Sequence, residues 1–233
     1  MRAHCSTTAT RVRRAGCTKP HSRSIPRARK RIKGWRARLK RWETAKRPHR
    51  IGAECDAETW WTMCHAVIAE LPDASIVGIG LSGFTRSQVL VDAAGKPVRP
   101  AQCFPDTRAG AQAALLSDAA AGTWGTMNAF HPLARLCWVR ENDPAAWTRT
   151  QYVLQPKDFL GLRLTGQALS DAVSNAWLLD RATGARSHAP LRRAGIDPTL
   201  VPDFLAPEQM VGTAIDPPSI AGIPVFAGSM DCS

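Results

Sequence analysis

Leu154 to Asp180 reads LQPKDFLGLRLTGQALSDAVSNAWLLD. The stretch predicts a helix over Asp158 to Leu164, stopped by the pair Thr165-Gly166. Working outward toward the amino terminus, Leu133, Leu136, Cys137 and Arg140 recur at helical spacing within Pro132 to Glu141, and Asp143-Pro144 breaks that run. Thr107 to Ala121 is alanine-rich and reads as helix. Gln88 to Val91 and Pro97 to Arg99 flank the turn sequence DAAGK and predict a hairpin. Ser75 to Leu81, SIVGIGL, is a short buried strand. Asp56 caps a helix on which Trp60, Cys64, Val67, Ile68 and Leu71 share a face, and Pro72 helps to end it. Toward the carboxyl terminus, Leu191 to Ala194 and Pro198 to Phe204 add helical turns, and Ile223 to Ala227 is a last strand. The order is mixed α/β.

That last strand runs into IPVFAGSM and then Asp231. The carboxyl end of a strand in an α/β sheet is a common place for a catalytic group. The sequence stops two residues later, at Ser233, so the expectation is one part of a larger enzyme.

Charge divides the sequence sharply. Residues 1–50 hold 18 of the 31 Lys and Arg and one acid, Glu43, for a net +17; the other 183 residues hold 13 basic and 18 acidic groups, net −5. The boundary expected is therefore a basic segment, 1–50, and a globular body, 51–233. The basic segment has few large apolar side chains, so disorder is its default. Three readings stand for it: a nucleic-acid-binding arm, an organellar transit peptide, or mistranslated GC-rich DNA. An apolar fraction of 44% suffices for a packed core in the body. No run of 18 apolar residues predicts a membrane span. Seven cysteines with no C-x-x-C pair point to neither a zinc site nor a disulfide framework, and such scattered thiols fit a reducing cytoplasm.

Gly78 to Gly83, GIGLSG, matches G-x-G-x-x-G, the dinucleotide-binding pattern. That pattern needs a helix next, to hold a pyrophosphate at its amino terminus. The next residues, FTRSQVLVDAAG, read as strand and turn, so a dehydrogenase is only a third choice. Phe84, Thr85 and Arg86 fall where side chains emerge at the sheet rim, and Arg86 either holds a polyol or phosphate or is a surface arginine. Asp106 and Arg108, in CFPDTRA, either bind hydroxyls or form a helix cap with its salt bridge.

Together the segments resemble the amino-terminal half of the FGGY carbohydrate kinases, xylulokinase-like members above all. The resemblance runs over residues 50–233. It is carried by Glu54 to Trp61 (ECDAETWW), by GIGLSGFTRSQVLVDAAGKPVRPAQCFPDTRA, by FHPLARLCWVRENDP, by the Leu154–Asp180 block and by IPVFAGSMD. The block is the most specific, since the family pattern there is close to L-P-K-D-Y-L-x-x-x-L-T-G followed by D-x-S.

The resemblance implies an actin-like, ribonuclease-H-like α/β ATPase fold, here its amino-terminal domain and incomplete. It implies phosphorylation of a sugar or polyol hydroxyl, a pentulose such as xylulose, with ATP and Mg²⁺. Asp231 matches the family's catalytic aspartate, which takes the proton of the attacking hydroxyl. Phe84, Thr85 and Arg86 stand where relatives read Q-M-H, and Asp106 and Arg108 match the family's W-x-D-x-R; all five are expected near the sugar. Two elements implied by the family have no counterpart in the sequence: a D-x-G-T-S phosphate loop near the start, and a second domain that would begin past Ser233. No cofactor-binding or metal-binding residue is assigned, and the chain alone is expected not to phosphorylate sugar. The alternative is a basic-tailed nucleic-acid-binding protein that reuses a kinase half-domain.

Overall fold

A computed structural model describes residues 52–70, 76–84 and 86–231. The basic segment with its nucleic-acid, transit-peptide and mistranslation readings lies outside the described residues, as do Leu71, Pro72, Ser75 and Thr85. In chain order the described elements are β1 (Glu54–Cys55), α1 (Ala57–Ala69), β2 (Ile79–Gly83), β3 (Val89–Val91), β4 (Ala101–Gln102), α2 (Gly110–Leu115), α3 (Pro132–Asn142) and α4 (Pro144–Arg149). Then come β5 (Tyr152–Leu154), α5 (Pro156–Thr165), β6 (Ser170–Asp171), α6 (Ala189–Arg193), β7 (Phe204–Leu205), β8 (Met210–Thr213) and β9 (Pro224–Met230).

Local chemistry explains the boundaries of the main helices. On α1, the Asp56 carboxylate accepts from the Glu58 N–H at 3.0 Å, and Trp60 and Trp61 are buried one turn later. Helix α5 begins two residues before the expected Asp158. Pro156 fits its first turn, Gln155 and Asp158 form a reciprocal cap, and Gly166 closes it at φ 75°. Helix α2 is shorter than expected: after Leu115 the alanine-rich stretch continues only as turns, ending at Thr123, whose hydroxyl donates to the Ala120 carbonyl.

The expected hairpin is only partly formed. Val91 bridges Pro97, but β3 takes as its full partner β5, a strand that periodicity did not reveal. Side chains alternate across β3. Val89 and Val91 join Trp60, Trp61, Phe159 and Val225 in one core, whereas Leu90 joins Leu133, Leu136, Trp177 and Leu191 in another. The β3–β5 pair therefore divides two apolar clusters.

The sheet that positions the site has strand order β2-β9-β8. Strands β2 and β9 are parallel, with Ile79 opposite Val225 and Gly83 opposite Met230, and their register shifts between Gly80 and Ser82. Gly228 takes φ 59° at this shift, and a Cβ there would lie 1.7 Å from the Leu81 carbonyl oxygen. No side chain fits that contact. GIGLSG is thus strand rather than phosphate loop. At its end, a Cβ on Gly83 would come within 2.8 Å of the Lys157 nitrogen, so the glycine lets α5 pack against the strand end. Among the described residues no helix is long and apolar enough to cross a membrane.

Candidate active site

Parallel pairing brings the ends of β2 and β9 together. The Asp231 N–H donates to the Gly83 carbonyl at 2.9 Å, so the hydrogen-bonding of the sheet runs on through the first residue past β9. Asp231 is exposed there. With Gly83, Phe84, Trp60, Lys157 and Leu160 it lines a largely apolar cleft of about 450 Å³. Phe84 and Asp231, both expected in the site, thus share one cavity, and Phe84 leans on Trp60 with ring centroids 6.0 Å apart.

Arg86 lies past the end of β2 at φ 50°, in the left-handed region. Its carbonyl accepts from the Arg135 guanidinium. Arg135 is fully buried, and its Nη2 also donates to the carbonyls of Phe104 and Asp106, each at 2.9 Å. One side chain of α3 therefore ties the Arg86 turn to the CFPDTR loop. Arg135 was not singled out from the sequence, because a lone arginine on a helix carries no signal of burial.

Asp106 and Arg108 form a two-pronged pair: Nε to Oδ1 at 3.0 Å and Nη2 to Oδ2 at 2.8 Å. Burial pushes the Asp106 carboxyl up, but hydrogen bonds from the Arg108 side chain and backbone outweigh it, and its pKa falls below the usual value. Gln102 also donates to Asp106, while Arg108 reaches Glu54 at 2.6 Å and lies over the Trp138 ring. Their hydrogen bonds thus go to protein partners, the cap-and-salt-bridge arrangement. Phe104 instead stacks on Phe130, centroids 5.6 Å apart. Thr85 lies outside the described residues.

Behind the cleft is a buried ion cluster. Lys157 Nζ contacts Asp158 Oδ1 at 2.5 Å, Asp171 Oδ2 at 2.7 Å and the Ala227 carbonyl at 3.0 Å. Ser170 donates to Asp158, and Asn175 donates to Ser170 Oγ at 2.7 Å. Burial pushes the Asp158 carboxyl up, against the opposing pull of Lys157 and Ser170. The cluster fixes β9 through Ala227, four residues before Asp231.

The sequence of residues 37–233 matches the FGGY family of carbohydrate kinases, N-terminal domain. The chain belongs to this family. A xylulose kinase of Streptomyces coelicolor is 30% identical over 202 residues, which are 79% of this chain and 42% of that protein. The crystal structure of xylulose kinase from Rhodospirillum rubrum superposes with TM-score 0.71 at 27% identity, over 80% of this chain and 43% of that one. A structure described as a xyloylose kinase from Brucella ovis gives TM-score 0.69 at 29% identity, over 80% of this chain and 41% of that one. The chain thus spans less than half the length of these FGGY relatives, and the architecture is the actin-like fold of the family's amino-terminal domain.

The described residues of this FGGY domain do not fit the nucleotide and magnesium that the family implies. Lys157, the one cation among the described residues that line the Asp231 cleft, is held by two carboxylates and a carbonyl. Among the described residues no group of three or more His, Cys, Asp or Glu is placed to hold a metal ion. The donors at hand suit an uncharged hydroxylated molecule better than a triphosphate.

Proposed function

We propose that the described residues form the acceptor half of a carbohydrate kinase, which holds a sugar, a pentulose such as xylulose, for phosphorylation by ATP. The observation that carries this reading is Asp231 on the fixed end of two parallel strands, open to a cleft. An exposed aspartate held by its own backbone can accept a sugar hydroxyl's proton and orient the oxygen that loses it. Family membership and relatives named xylulose kinases support the substrate class. Phe84 forms part of the cleft wall, and Arg86, Asp106 and the neighbouring Arg108 are drawn together by Arg135. The setting proposed is the cytoplasm: among the described residues no two cysteines are joined, and burial, then the neighbouring Cys55, pushes the Cys103 thiol up to about 12.

Because the described donors do not fit a triphosphate, the chain by itself should bind sugar without transferring phosphate. Calorimetric titration with D-xylulose and a panel of ketoses, aldoses and polyols tests the first half. Saturable binding between about 1 μM and 1 mM is expected; no binding to any sugar would overturn the acceptor reading. A coupled assay for ADP tests the second half. Turnover at about 1 s⁻¹ or faster with Mg·ATP would overturn it.

A further inference from the structure

Arg135, on α3, is a fully buried cation that the chemistry of the Asp231 cleft does not use. Asp106, whose charge it feels, gives its own carboxylate oxygens to Arg108 and Gln102. Arg135 binds backbone instead. Its Nη1 donates to the Arg86 carbonyl, and its Nη2 to the carbonyls of Phe104 and Asp106.

Packing alone does not call for such a residue. A buried charge loses its hydration, and carbonyl dipoles replace only part of it. Apolar side chains of like volume are often as stable in place of buried ionic groups, or more so. Leu or Met would therefore fill this space at no loss. A guanidinium adds what they lack: N–H donors in one rigid plane, which fix the carbonyls they bind relative to one another.

Those carbonyls belong to two segments that meet beside the strand ends. Arg86 follows β2 at φ 50°, a left-handed conformation that is costly for any residue with a side chain. Arg86 is exposed, whereas Ser87 and Gln88 are fully buried, so the chain turns into the core at this residue. Arg135 holds the oxygen of the peptide that makes the turn. Three residues earlier, the Gly83 carbonyl accepts from the Asp231 N–H. The second segment is the loop after β4, held at Phe104 and at Asp106.

We propose that Arg135 is a positioning residue of the acceptor site. It touches no substrate. Its guanidinium locks the Arg86 turn against the Phe104–Asp106 loop, and so fixes that loop relative to the strand end that carries Asp231. The inference rests on the acceptor-half reading.

Calorimetry of the full chain tests it, with whichever of D-xylulose, D-ribulose, D-xylose and xylitol the wild type binds most tightly. Each variant is titrated at a temperature where it is folded, so the affinity reports the site and not the stability. Arg135→Met should weaken binding about 10-fold or more, and Arg135→Lys, which keeps the charge without the planar fork, about 3–10-fold. Leu136→Ala, which opens a cavity on the same helix, should lower the unfolding midpoint and keep the wild-type affinity. A lower midpoint with unchanged affinity in both Arg135 variants marks a purely structural residue; it overturns the proposal and leaves the acceptor half standing. An equal loss of affinity in Leu136→Ala shows general softening and overturns it too. No binding of any of these sugars to the wild-type chain overturns both readings. Should neither Arg135 variant fold, the Arg135 Nε–H resonance of the wild-type protein must move on adding sugar, and a resonance unmoved at saturation overturns the proposal.

Discussion

Two polar clusters flank the chain between Gln155 and Trp177, and they are finished in opposite ways. On one side, Lys157, Asp158, Ser170, Asp171 and Asn175 pair with one another in a network that also grips β9, Asp171 Oδ2 being held there by its ion pair with Lys157 at 2.7 Å. On the other, His131, Ser174 and Trp177 line a cavity, and each has a buried polar atom with no protein partner among the described residues. Residues 170 and 174 are both serines in one short β6 turn, yet they belong to different regimes. A closed network specifies one arrangement of the fold. An open one keeps hydrogen-bonding capacity for something else. Buried polar groups are thus informative about function only once their partners have been counted.

The largest expected effect tests the closed side. Lys157→Met should leave two buried carboxylates without their cation and cost about 3–5 kcal/mol in urea unfolding. A loss below about 1 kcal/mol would mean that the network is hydrated and not closed. The next effect concerns His131. Its folded pKa, about 4, lies below the ordinary 6.5, so the unfolded chain binds more protons between those values. Its contribution is present above pH 6.5 and is lost as pH falls toward 4, a change of roughly 3 kcal/mol. His131→Asn keeps a side chain that can cap α3 but cannot titrate, so its stability should vary less with pH over that window. Equal slopes for the variant and the wild type would show that His131 is not held neutral.

The smallest effects compare the two serines directly. Ser170→Ala removes a donor to Asp158 and an acceptor for Asn175, and should cost about 1–3 kcal/mol. Ser174→Ala removes a hydroxyl oxygen with no partner among the described residues, so stability should stay level or rise by up to about 1 kcal/mol. Equal losses at the two positions would erase the distinction between closed and open clusters.

Much of this was legible in the chain itself. Asp56, Pro132 and the pair Thr165-Gly166 marked helix ends through a cap, proline and glycine, which act within a few residues, whereas the Gln155–Asp158 cap that starts α5 at Pro156 went unread. The apolar run ending in small residues marked β9, and its position marked Asp231. Resemblance over the Leu154–Asp180 block marked the family. Strand β5 escaped notice because three residues, Tyr152 to Leu154, are too few to show a period, and its partner β3 is distant in sequence.

Only tertiary structure decided which polar residues are spent and which are spare. Local sequence determines backbone preference, because caps and periodicity are interactions between near neighbours. Whether Lys157 faces a phosphate or two carboxylates, or whether Asp106 meets a sugar or Arg108, depends on groups brought in from elsewhere. Arg135 joins two loops, and Trp177 meets His131 across more than forty positions of chain. Burial turns such meetings into large free-energy differences, and burial is a property of the packed whole.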